Sequence, residues 1–163
     1  MPQGVPQCLA LLALYMVIEV WTKERYSASE EAGLIARLAR AGLPVKKARL
    51  SRLYKIDAPF PDNAFRRIAA DLLTDKITER WSLSARPGLK NICRVEVWLK
   101  NSVTDVIGES VQEAVRDMTG GQPRSVRFGR AYYVACGSPE RLKRTVSEVL
   151  VNEIVNVYSV TKI

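Results

Sequence analysis

One strand pattern returns in this chain at nearly constant spacing, and that recurrence limits the fold more than any other feature. Val17-Ile-Glu-Val-Trp-Thr-Lys23 comes back as Arg94-Val-Glu-Val-Trp-Leu-Lys100, 77 positions later. Leu72–Leu83 comes back as Val149–Val160 at the same offset, and Arg49–Tyr54 as Arg127–Tyr132 at 78. Three ordered matches with one residue of drift mark a duplicated unit.

Each copy predicts the same elements. In the first strand Ile18, Val20 and Thr22 oppose Glu19, Trp21 and Lys23; in the second copy Val95, Val97 and Leu99 oppose Glu96, Trp98 and Lys100. Alternation with β-branched residues is a strand signal. A helix follows, with Ser27 and Glu30 as a capping box, or Ser29 as the cap. Its buried face is Leu34, Leu38 and Ala41, matched by Val111, Val115 and Met118. Gly42-Leu-Pro44 and Thr119-Gly-Gly-Gln-Pro123 end these helices. A middle strand spans Val45–Ile56 and Ser125–Ala135. Asp62 caps the next helix, and Ser138-Pro139 opens its counterpart with proline in the first turn. Phe65, Ile68, Ala69 and Leu72 form one buried stripe; Leu142, Thr145, Val146 and Val149 form the other. Ile77–Leu83 and Ile154–Val160 are the last strands.

The class is α+β: two tandem β-α-β-α-β subdomains, each resembling half of a ferredoxin-like sandwich. Residues 1–15 read as an apolar extension, 16–85 as the first unit, 86–91 as a linker inside the Pro-Gly stretch Ser84–Asn91, and 92–163 as the second unit. A three-stranded sheet with helices on one face leaves its other face open. Trp21, Trp98 and either Trp81 or Tyr158 add apolar surface that needs covering. The expectation is an internal pseudo-dimer, with Trp21 and Trp98 at equivalent places. Units sitting apart on the linker would contradict it.

Composition narrows the chemistry. Apolar residues make up 47% of the chain, enough for a core, and 25 Lys+Arg against 17 Asp+Glu give a charge of +8. Such a surface attracts nucleic acid, phosphorylated metabolites or an acidic partner. The charge divides evenly between the halves with no basic run, so nucleic acid is not favoured. Histidine is absent. That removes Ser-His and Cys-His nucleophile pairs, histidine bases and histidine metal ligands. Cys8, Cys93 and Cys136 are too scattered for a disulfide framework and point to a reducing cytosol. Cys8-Leu-Ala-Leu-Leu-Ala-Leu-Tyr15 is too short to span a bilayer, and no basic residue precedes it as in a signal peptide. No Walker loop, GxGxxG or HExxH occurs, and Gly120-Gly121 reads as a turn.

Three residue pairs are candidates for function. Lys23 and Lys100 end matching strands beside a helix start, where they could meet a phosphate or an acidic surface; solvated strand-end lysines are the plainer reading. Arg52 and Arg130 alternate with Leu50, Tyr54 and Ile56, and with Phe128, Tyr132 and Val134. A buried arginine is costly without a partner. Either a bulge near Ser51 and Gly129 re-aims them, or the strand passes there from core to inter-repeat surface. Glu19 and Glu96 are equivalent strand carboxylates, read as salt-bridge partners of neighbouring-strand cations.

Arg94-Val-Glu-Val-Trp-Leu-Lys-Asn-Ser-Val-Thr-Asp-Val-Ile-Gly108, followed in order by Ala114–Thr119, Val126-Arg-Phe-Gly129 and Leu150–Val155, resembles the PurS family. The first unit is similar through Val17–Lys23 and Leu72–Ile77. It lacks the Asp-x-x-Gly turn and has Ser51 in place of the glycine. Tandem PurS-like units also form the N-terminal domain of the large fused phosphoribosylformylglycinamidine synthase. The resemblance implies a non-catalytic bridge between a large synthetase subunit and a glutaminase subunit. ATP and magnesium would be used by the large subunit and no cofactor held by this chain; Lys23, Lys100, Arg52 and Arg130 would be partner contacts. A nucleic-acid-binding ferredoxin-like module and a small-molecule-sensing regulatory domain are the rival expectations.

Overall fold

The computed structural model describes residues 15–163. Residues 1–14 of the expected extension, Cys8 included, lie outside them, while Tyr15 already opens the first strand. The elements are β1 (Tyr15–Thr22), α1 (Ala28–Arg40), β2 (Ala48–Asp57), α2 (Asp62–Arg67, continued by a wider π-helical stretch, Ile68–Leu73) and β3 (Glu79–Ser82). Then come β4 (Cys93–Leu99), α3 (Val106–Thr119), β5 (Ser125–Val134), α4 (Pro139–Val149) and β6 (Asn156–Lys162). The order β-α-β-α-β thus occurs twice.

All six strands form one antiparallel sheet, ordered β3-β1-β2-β5-β4-β6. The units join edge to edge through β2 and β5, from Ala48 opposite Val134 to Asp57 opposite Ser125. This register maps onto itself when the units are exchanged. Leu50 faces Tyr132, and Tyr54, the counterpart of Tyr132, faces Phe128, the counterpart of Leu50. Arg52 faces its own counterpart, Arg130. The ladder is uninterrupted, so no bulge at Ser51 or Gly129 aims the arginines. Strict alternation holds and places both on the helix side.

The helices cover that side in mixed pairs. Leu34 and Leu38 of α1 pack with Leu142 and Val146 of α4 over Val95, Tyr132 and Val134. Phe65 and Ile68 of α2 pack with Val115 of α3 over Ile18, Val20, Ile56 and Val126. Each unit's first helix therefore packs beside the other unit's second helix, and Arg37 of α1 donates to the Val149 carbonyl at 2.8 Å. Leu38, Ile56, Ile68 and Leu142 are fully inaccessible; burying each contributes about 1.5–3 kcal/mol.

The opposite face is where expectation and structure part. Joined by their edges, the two open faces lie side by side, and neither can cover the other. The connecting segment does so instead: Leu89 of the stretch taken as a linker and Ile92, first residue of the second unit, pack on Leu53, Ala131 and Tyr133, and Arg86 is buried.

Several element ends also differ. Ser27 sits at the start of α1 but makes no cap bond; its hydroxyl donates to Glu31 at 2.9 Å, so the box with Glu30 does not form. Pro61, not Asp62, precedes α2, and Asp62 meets the helix dipole from the first turn. Pro139 stands in the first turn of α4 as expected, and Ser138 caps it, accepting from the Arg141 N–H at 3.4 Å. The last strands begin two residues late. Asp75 and Asn152 accept from the Ile77 and Ile154 N–H groups at 2.8 and 3.0 Å, forming side-chain turns that leave both isoleucines exposed. In the second unit Asp105 caps α3 through the Gly108 N–H (2.8 Å) and also takes the Phe128 N–H (2.7 Å). A Cβ at Gly108 would lie 2.4 Å from the Val126 carbonyl oxygen, which is the steric reason for glycine in the Asp-x-x-Gly turn.

Candidate functional site

The four cations singled out from the sequence occupy two places. Arg52 and Arg130 face each other at the centre of the sheet, between the two helix pairs. Directly opposed like charges are destabilising, and the units answer this differently. Arg52 pairs with Glu79 at 2.6 Å. The counterpart of Glu79 is Asn156, and Arg130, exposed, has no ion-pair partner among the described residues. Each arginine stands beside a cavity of about 210–230 Å³, one lined by Glu79 and the other by Asn156.

Lys23 and Lys100 lie on the face away from the helices. Lys23 is not a free strand-end charge: its Nζ donates to the Lys76 and Ile77 carbonyls at 2.9 and 2.8 Å, fastening the turn before β3. Lys100 makes no such side-chain bond among the described residues and lines a cavity of about 440 Å³ with Trp98, Arg127 and Val157. The corresponding cavity in the first unit, about 430 Å³, is lined by Trp21, Lys23, Arg49 and Arg80.

Glu19 and Glu96 share one cation. Arg94 donates to Glu19 at 2.9 Å and to Glu96 at 2.6 Å. Tyr133 donates to Glu19 and accepts from Arg94, and the Arg86 backbone N–H completes the set at 3.2 Å. Glu96 is on the same strand as its arginine. Glu19 is three strands away, with β2 and β5 between, not on a neighbouring strand. Burial opposes the charge on Arg94, but the Glu96 and Glu19 carboxylates outweigh it and raise its pKa. Burial first, then Glu19, raises the Tyr133 pKa as well. Glu19 is 1% exposed and engaged by three donors, so it cannot reach a substrate; it locks β1 to β4 and β5.

Sequence reasoning passed over Arg94, Tyr133 and Arg86. The available signal was asymmetry within the repeat: Arg94 and Tyr133 stand where the first unit has Val17 and Lys55. The tryptophans diverge as well. Trp98 lies on Gly129, where a Cβ would be 2.5 Å from its ring. Trp21 faces Ser51 in the equivalent place and is covered instead by the Arg86 guanidinium, 5.1 Å above its ring.

Among the described residues no three His, Cys, Asp or Glu side chains converge as a metal site. No described helix is long and apolar enough to cross a membrane. The described surface presents fixed charges beside cavities.

Residues 92–163 match the family model of PurS, phosphoribosylformylglycinamidine (FGAM) synthase. The match to the PurS family thus spans the second unit. At family level this ties it to FGAM synthase and purine biosynthesis. The match includes the PurS-type strand β4, the Asp105-x-x-Gly108 turn and Gly129, whose structural reasons are given above. No curated protein sequence matches the chain.

Proposed function

We propose that this chain is a non-catalytic bridging component of FGAM synthase, joining a large synthetase subunit to a glutaminase subunit in the cytoplasm. The PurS match over residues 92–163 carries this reading. The large subunit uses ATP and magnesium, and this chain holds neither. The self-mapping register of β2 and β5 supports taking the chain as a covalent form of a PurS-like pair, with both units in one rigid sheet. Of the four candidate contact cations, Lys23 and Arg52 are occupied within the fold. Arg130 and Lys100 are the ones left to meet an acidic partner surface.

The test is reconstitution of glutamine-dependent FGAM formation from the synthetase and glutaminase subunits with and without this chain. Activity should require it, and Arg130→Glu with Lys100→Glu should weaken assembly while leaving the fold intact. Equal activity in its absence would remove the bridging role.

A further inference from the structure

The cavity on the open face of the first unit is far more basic than its counterpart. Lys23, Arg25, Lys47, Arg49, Arg80 and Arg86 line it, against the single carboxylate of Glu24. Glu24 is taken by Arg49 at 2.7 Å. The corresponding cavity of the second unit has Asn101 for Glu24 and Val157 for Arg80. The fold can evidently build this place without a charge at the β3/β6 position, so Arg80 is not demanded by packing.

Two observations point to a missing anion. Arg86 is 7% exposed, yet its guanidinium has no hydrogen bond or ion pair among the described residues; it rests on Trp21 and lines the cavity. The Nε of Arg49 is buried without a hydrogen-bond acceptor, although the Glu24 and Glu31 carboxylates offset its charge at 2.7 and 3.6 Å. Buried guanidinium groups are ordinarily paired, because an uncompensated charge is costly. Burial, then repulsion from Arg49, holds the Arg86 pKa below an arginine's usual value, against the opposing pull of Tyr133, Glu19 and Glu31.

From this convergence we infer that the cavity walled by Trp21, Arg49, Arg80 and the Arg86–Leu89 segment binds a small ligand carrying two or more phosphate groups. A volume of about 430 Å³ suits a compact molecule. Planar guanidinium forks match phosphate oxygens bidentately. The Arg86 guanidinium covers the Trp21 ring on one face, and the ring is 8% exposed, so a base finds little of it to stack on. Recognition is of the phosphates, and inorganic pyrophosphate is a sufficient probe. The site differs in place and chemistry from the partner contacts proposed at Arg130 and Lys100.

Calorimetric titration of the whole chain with pyrophosphate, with inorganic phosphate and ATP as further arms, tests the inference. Pyrophosphate should bind at one site per chain and more tightly than phosphate. Losing a charge-assisted bond should weaken it at least about tenfold in Arg86→Met, and likewise in Arg80→Glu/Lys47→Glu. The latter pair changes exposed residues and decides the matter if the Arg86 variant does not fold. Lys100→Glu, in the opposite cavity, should leave binding unchanged. No binding at millimolar pyrophosphate overturns the proposal, as does binding that survives the Arg80/Lys47 change or is lost with Lys100→Glu. A heparin or oligonucleotide complex that pyrophosphate cannot displace would make the patch a macromolecular surface and overturn it too.

Discussion

Replacing Arg94 by methionine should destabilise the fold more than any surface change. Methionine keeps much of the arginine stem and its packing but removes the cation. The Glu19 carboxylate, 1% exposed, then keeps only the Tyr133 hydroxyl and the Arg86 N–H. The Arg94 side chain is itself only 9% exposed, so solvent does little to screen the pair. Breaking a buried pair from one side costs about 3–5 kcal/mol. For a chain of this length each kcal/mol lowers the melting midpoint by roughly 2–4 °C, so the expected drop is about 6–20 °C. Urea unfolding followed by far-UV circular dichroism gives the free energy directly. Glu19→Gln removes the other charge. In the double variant the losses should fall short of additive by about 0.5–3 kcal/mol, because the orphaned carboxylate is gone. A loss under about 1 kcal/mol in Arg94→Met, or strict additivity, would show that the network does not hold β1 to β4 and β5.

Three other outcomes follow from the same face of the sheet. Gly129→Ala places a Cβ 2.5 Å from the Trp98 ring and should cost about 1–3 kcal/mol with a shift in tryptophan fluorescence; an unshifted, fully stable variant would mean that the ring moves freely. Ser51→Ala removes a buried hydroxyl that has no hydrogen-bond partner and should be neutral or stabilising by about 1 kcal/mol, measured as the urea midpoint; clear destabilisation would reveal a partner for that hydroxyl. The raised Tyr133 pKa means the folded state favours the protonated phenol. Its contribution is complete below the ordinary tyrosine pKa of about 10 and is lost as pH rises beyond it. Wild type should therefore lose stability above about pH 10 more steeply than Tyr133→Phe, and parallel pH profiles would refute the linkage.

The sites show where sequence reading stops. Lys23 and Lys100 look alike in sequence, yet one is fastened to two carbonyls and the other is unbonded among the described residues. Arg52 and Arg130 look alike too. They differ because residue 79 is Glu while its counterpart, 156, is Asn, on strands far from them in sequence. Arg86 lies in a stretch with no apolar period, and nothing local signals its burial.

The opening repeat fixed the local plan, because alternation, helical stripes and turn residues act over a few neighbours. It gave two β-α-β-α-β units, their buried stripes and the positions of Trp21 and Trp98. Only the tertiary structure decided how the units meet. Edge pairing of β2 with β5 depends on register between strands some 80 residues apart, which no local pattern encodes. That pairing interleaves the helices, sets Arg52 against Arg130, and leaves an open face for the connecting segment to cover. The cavity with its unpaired guanidinium follows from that last step, and the sequence alone held no sign of it.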